Sequence, residues 1–205
     1  MFKQINLDSR LRINSDILNT SLGKSDIIVI NKFDNNTVNN VYEAFGIAHS
    51  IKQDIIPVQI NTFGGSTYHL LALIGLFKQS TIPIATVVNG TAQSAGSVLF
   101  AFGTDGYRFI APDSNLMIHD VAGWSEGKVE EIKSDAAEKD RVNKQVYQMM
   151  AKQCGKSKDY FLDLIHEHSH ADWFLDADEA LKHNIANEIK SPIFQIDITV
   201  KYSIN

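Results

Sequence analysis

Ser94 sits inside N-G-T-A-Q-S-A-G-S, the run from Asn89 to Ser97, with small residues on both sides of its hydroxyl. A β-rich segment, Ile84 to Val88, leads into it, and an apolar helical run, Ala95 to Phe102, leads away. This is how a nucleophile is presented at a strand-to-helix turn: small neighbours admit a substrate backbone, and the following helix N-terminus favours developing negative charge. A serine is a poor nucleophile unless a base takes its proton, and a carboxylate usually orients that base. Of the seven histidines, His119 is the best placed, because it ends the apolar strand M-I-H and enters a loop. Asp172 stands directly before the apolar W-F-L, a neighbour that would partly bury it. On these grounds alone Asp113 and Asp120 remain equal candidates for the orienting carboxylate.

Other residues invite chemistry less. His166, His168 and His170 read H-x-H-x-H, but residues two apart on a helix do not share a face. Only His166 and His170 would pair, and no nearby cysteine completes a tetrahedral metal set. Cys154, beside Gly155 at a helix end, is read as a packing residue.

The elements that must position these residues alternate. Strands are expected at Ile27–Ile30, Ile55–Ile60, Ile84–Val88, Tyr107–Ile110 and Leu116–His119, from their β-branched and apolar runs. Helical spacing is expected from Val38 to about Lys52, over Tyr68–Gln79 and Ala95–Phe102, and along a charged stretch from Lys128 to Cys154 that Gly155 stops. Ser157 is read as capping a helix through about His166, and Asp176 with Glu179 as a capping box ahead of His183. Alternating strands and helices with short joints imply βα units around a mainly parallel sheet, where chemistry gathers at the carboxyl ends of the strands. Gly64-Gly65, in T-F-G-G-S after the second strand, and Ser94 both fall at such ends. Residues 1–25 read as an N-terminal arm, 26–190 as the one domain, and 191–205 as a tail whose Ile196, Ile198, Val200 and Tyr202 alternate as in a strand.

The 205 residues suit one domain; 44% are apolar and 21% charged, ordinary for a globular protein. A net charge of -5 argues against nucleic acid as a partner. One cysteine allows no intrachain disulfide and fits a reducing, cytoplasmic setting. The charged N-terminus is no signal peptide, and no apolar run approaches the roughly 20 residues of a membrane span.

Four segments, V-Q-I-N-T-F-G-G-S, G-T-A-Q-S-A-G-S, R-F-I-A-P-D-S-N-L-M-I-H and A-D-W-F-L-D-A-D-E-A, occur in order between about Ile27 and Ile189. Together they resemble the ClpP family of self-compartmentalising serine peptidases. The resemblance implies an α/β fold, a crotonase-like spiral of βα units with a projecting long helix, or handle, at about 124–155. It implies Ser94 as nucleophile, His119 as general base and Asp172 as its orienting residue, with the N–H groups of Gly65 and Ala95 as the oxyanion hole. Gly64 and Ser66, and Gly123 and Trp124 in the A-G-W-S-E-G segment that resembles the family's glycine-rich strand, are implied to bind substrate. The implied reaction is hydrolysis of unfolded polypeptides through an acyl-enzyme, without metal or organic cofactor. It would take place inside a homo-oligomeric barrel of two seven-membered rings that a Clp-type ATPase could serve.

The chain departs from the family pattern at several positions. Phe63 replaces a proline before the glycine pair, Asp120 is followed by Val121 where a proline is common, and His170-Ala171 replace an acidic-arginine pair before Asp172. Three competing readings share parts of this pattern: a ClpP-like viral head-maturation protease, an inactive structural subunit of a Clp complex, and a crotonase-type acyl-CoA enzyme, which would not need the triad. With the family's ring-contact salt bridge removed, His166, His168 and His170 are expected to make ring pairing pH-sensitive. Sedimentation at about pH 5.5 and about pH 8, either side of the usual histidine range, should then give different assemblies. The same assembly at both would contradict this expectation.

Overall fold

The computed structural model describes residues 27–194; the arm and the alternating tail segment lie outside the described residues. A five-stranded, all-parallel sheet runs in the order β1 (Ile28–Ile30), β2 (Ile56–Ile60), β3 (Ile84–Val88), β5 (Arg108–Ile110), β8 (Glu188–Ile189). The first three strands are the β-branched runs that the sequence marks. Between them stand α1 (Asn35–Ser50) and α2 (Thr67–Gln79). Asp34 caps α1 by accepting the Thr37 N–H at 2.8 Å. That hydrogen bond and Lys32, the larger influence, hold the Asp34 carboxyl down at about 2. Val41, Phe45 and Ala48 of α1, and Leu70, Leu73, Ile74 and Phe77 of α2, are buried at helical spacing. Phe45 stacks on Phe77 with ring centroids 5.4 Å apart, joining the two helices.

A second, three-stranded sheet holds β4 (Thr91–Gln93), β6 (Asn115–Ile118) and β7 (Trp173–Leu175). The chain reaches it by running past the end of the first sheet and turning at Gly90, whose φ is +132°. Single bridges, Phe33 to Gly65 and Thr62 to Ala92, extend the same pattern to the earlier βα units. Successive units thus climb in a spiral, each giving strand to the first layer and an edge to the second. The short β4, β7 and β8 were not expected from the sequence. They are two or three residues long and lack a period of their own. β7 is also antiparallel to β6, the one antiparallel pairing among the described residues.

Helix α3 (Ala95–Phe100) is buried at every position, and it ends two residues before the expected Phe102, because past its cap Ala101 the bonds reach back only three residues, Phe102 N–H to the Leu99 carbonyl. Long α4 (Val129–Gln153) follows the expected helix, and Gly155 stops it with φ +66°. Its buried residues, Val142, Val146, Tyr147, Met150 and Ala151, all lie in its second half. The first half stands off the core, with Val129 67% and Ile132 40% exposed. Pairs three or four apart, Lys133 with Glu130 and Arg141 with Glu138 in this half and Lys144 with Asp140 across the middle, support the polar face. Asp159, not Ser157, sits at the start of α5 (Tyr160–Glu167). Asp176 and Glu179 form the expected capping box on α6 (Ala177–Lys182). Among the described residues no helix is long and apolar enough to cross a membrane.

Ser97 ties these layers together. Its buried hydroxyl lies 2.8 Å from the Ala92 carbonyl and 2.6 Å from that of Met117, and accepts the Met117 N–H at 3.2 Å. Ser97→Ala leaves these buried groups without the hydroxyl and should cost about 1–3 kcal/mol, read as a lower midpoint in chemical denaturation. An unchanged midpoint would show that the hydroxyl does not hold β4, β6 and α3 together.

Candidate active site

Ser94 lies between β4 and α3 with φ +54° and ψ −122°, a conformation that non-glycine residues rarely adopt. Such a sharp strand-to-helix turn lifts a side chain clear of the sheet. Three contacts hold the turn. The Ser94 N–H donates to the Met117 carbonyl at 2.7 Å, the Ser94 carbonyl accepts the Val98 N–H at 3.2 Å, and Gly64 packs against the side chain. A Cβ on Gly64 would stand 2.8 Å from the Ser94 Cβ, and Gly64 itself has φ +105°. Glycine is required there both by conformation and by space. Gly65, at φ +148°, presses on the Phe33 backbone in the same way. The N–H groups of Gly65 and Ala95 have no partner among the backbone hydrogen bonds of the described residues.

His119 follows the last residue of β6, where the sequence analysis had made it the strand's own end. Its Nε2 is 2.8 Å from Ser94 Oγ. Tyr147 of α4 donates its hydroxyl to the His119 carbonyl, and burial pushes that phenol well above its usual range, so it stays a donor. The β6–β7 register pairs Leu116 with Leu175, Met117 with Phe174 and Ile118 with Trp173. One further step sets His119 opposite Asp172, within reach as cross-strand neighbours are. The register therefore selects Asp172 over the other two carboxylates. Asp113 is exposed on the β5–β6 turn, and Asp120 is engaged by Asn143 and His170.

Asp172 is not buried as its apolar neighbours led us to expect. Its side chain is 56% exposed, because Trp173 and Leu175 point into the core while Asp172 lies beyond the end of the ladder. Its Oδ1 is 3.8 Å from His119 Nδ1, an ion-pair distance outside hydrogen-bond range.

The remaining histidines serve other ends. His49 reaches Ser80 Oγ at 3.4 Å, but Ser80 is turned to Ile82 at 2.7 Å and His49 Nδ1 to its own helix at Phe45. His69 bonds to Phe33 and Asn35. His183 is buried, bonded to Tyr160 and shifted toward neutrality by desolvation. His166 and His170 do pair, with ring centroids 4.4 Å apart, while His168 stacks on Trp173. Among the described residues no group of three or more His, Cys, Asp or Glu is arranged to hold a metal. Cys154 is buried, which pushes its thiol up to about 12 and leaves it a packing residue.

Phe63, 79% exposed, and Ser66 flank the glycine pair beside Ser94. Gly123 and Trp124 lie in a segment that makes no strand among the described residues, and Trp124 is 81% exposed. This segment is pinned to α4: Lys139 contacts Ser125 and Asp135, Ser125 bonds to Asp135, and a Cβ on Gly123 would meet Lys139 Cε at 2.7 Å. Lys139, then Ser125, holds the Asp135 carboxyl below its usual range. Sequence reasoning passed over Asn143 and Tyr147. Their signal was a polar pair four apart beside Val142 and Val146 on the buried face of α4.

The fold thus brings the Ser94 hydroxyl, the His119 imidazole and the Asp172 carboxylate together at one end of the second sheet. The sequence profile of the Clp protease family matches residues 9–192, and the chain belongs to that family. The match starts inside the segment read as an arm. The chain is 33% identical over 134 residues to the ATP-dependent Clp protease proteolytic subunit 1 of Salinibacter ruber, covering 65% of this chain and 56% of that protein. It is 32% identical over 134 residues to the subunit of the same name from Rhodopirellula baltica, covering 65% and 57%. It is 31% identical over 134 residues to the ATP-dependent Clp protease proteolytic subunit of Porphyromonas gingivalis, covering 65% and 59%. The match thus spans a little over half the length of these curated relatives.

Gly64→Ala should place a methyl group against Ser94 and break the Ser94–His119 hydrogen bond, seen in a crystal structure as a separation beyond hydrogen-bond range. An unchanged contact would show that the glycine is not what seats the serine.

Proposed function

We propose that the protein is a serine endopeptidase that hydrolyses peptide bonds of unfolded polypeptides. The observation that carries this is the 2.8 Å contact between Ser94 Oγ, on its strained turn, and His119 Nε2. Ser94 Oγ attacks the scissile carbonyl carbon as Nε2 takes its proton. The N–H groups of Gly65 and Ala95 receive the oxyanion. The imidazolium then returns the proton to the leaving amine, the C–N bond breaks, and an acyl-enzyme remains on Ser94. Water, activated by the same nitrogen, releases the acid product. Asp172 stabilises the imidazolium from the far side of the ring, and closing from 3.8 Å to hydrogen-bond distance would fix its tautomer. This acyl transfer calls on no metal or organic cofactor.

Gly64, Ser66, Gly123 and Trp124 are the residues that would hold the substrate backbone. The off-core half of α4 is the element by which two seven-membered rings would interlock into a barrel, with a Clp-type ATPase feeding it in the cytoplasm. The family membership and the names of the relatives support the degradative role over a head-maturation role. The intact Ser94–His119 contact speaks against an inactive subunit.

The full chain should cleave short fluorogenic peptides, and Ser94→Ala should lower kcat at least about 10³-fold. A Ser94→Ala variant as active as wild type would overturn the assignment.

A further inference from the structure

The β6–β7 ladder ends at Ile118 and Trp173, so His119 and Asp172 lie one step beyond its last pair, where a ladder is free to fray. Something past that end must hold Asp172. Directly before it the chain makes a turn with two successive non-glycine residues in the left-handed region, Ser169 and His170, each at φ 58°. Such a turn persists only when its surroundings impose it. His170 Nδ1 stands 2.6 Å from Asp120 Oδ2, and Asp120 is the neighbour of His119. The other oxygen of that carboxylate accepts the Asn143 Nδ2–H at 2.6 Å, and Asn143 Oδ1 accepts the Val121 N–H at 2.9 Å. One carboxylate thus joins three pieces: the end of β6, the base of α4 and the turn that delivers Asp172. His166 lies tilted beside His170 and His168 stacks on Trp173, so among the described residues the His170–Asp120 bond is the turn's one side-chain hydrogen bond to the His119 side.

We propose that His170 is a positioning residue: through the Asp120 carboxylate it staples the open end of the β6–β7 ladder and sets where Asp172 stands relative to His119. This rests on the peptidase reading above for its effect on rate, but not for its effect on geometry. His170, one of the two residues that replace the acidic-arginine pair of the family pattern, thereby supplies an intrachain link to the site. Its partner Asp120 directly precedes Val121, another departure from that pattern.

The test pairs kinetics with structure for wild type, His170→Ala, His170→Asn and Asp120→Ala in the full-length chain. Asparagine tolerates the left-handed turn and places an amide donor near the position of Nδ1. His170→Ala should move the Asp172 carboxylate away from His119 in a crystal structure. It should lower kcat about tenfold, with KM within about twofold, as misplacement of a reacting group does. His170→Asn should restore both position and rate to within about threefold of wild type. Asp120→Ala should reproduce His170→Ala, and the double variant should be no worse than either. Asp172 unmoved in His170→Ala, or a His170→Asn variant as impaired as His170→Ala, would overturn the proposal. If wild type itself proves inactive on peptides, the peptidase reading fails, while the Asp172 position still decides this one.

Discussion

Strand β6 is the constraint on which the site depends. Its Met117 carbonyl takes the Ser94 N–H, which holds a serine in a backbone conformation it would otherwise avoid. Its C-terminal end releases His119 at 2.8 Å from that serine. Its antiparallel register with β7 sets Asp172 across from His119. A one-residue slip would turn every side chain of β7 to the other face and remove the carboxylate from the site. The buried Ser97 hydroxyl, bonded to both Ala92 and Met117, keeps β4 and β6 in step and so keeps the serine aligned with the histidine.

Helix α4 divides into two parts with different tasks. Its C-terminal half packs on the core and braces the end of β6, Tyr147 on the His119 carbonyl and Asn143 on Asp120 and Val121. Its N-terminal half carries charge pairs and exposed Val129 and Ile132, and it pins the Gly123–Ser125 segment through Lys139. One helix therefore touches both the end of β6 and the Gly123–Ser125 segment.

Much of this was legible in the sequence because its signals are local. The β-branched runs gave β1, β2 and β3; the charged heptad-like stretch before Gly155 gave α4; the small residues around Ser94 and the Gly64-Gly65 pair gave two sides of the site. What the sequence withheld is non-local. β4, β7 and β8 are too short to show a period, so only β6 of the second sheet was expected, and the register that singles out Asp172 from Asp113 and Asp120 was not. Burial of Asp172 was expected from its apolar neighbours, yet alternation along β7 sends Trp173 and Leu175 inward and leaves Asp172 beyond the ladder. The tie from His170 to Asp120 spans fifty residues of chain, and no spacing rule reaches that far.

The central claim is that Ser94, seated by β6, is an acylating nucleophile. It is tested most directly by treating the full-length protein with a fluorophosphonate and mapping the adduct by peptide mass spectrometry. The account predicts a single phosphonyl group on Ser94, absent in Ser94→Ala and much slower to form in His119→Ala. An assembled wild-type protein that takes up no reagent, or takes it up at another residue while Ser94 stays free, would contradict it.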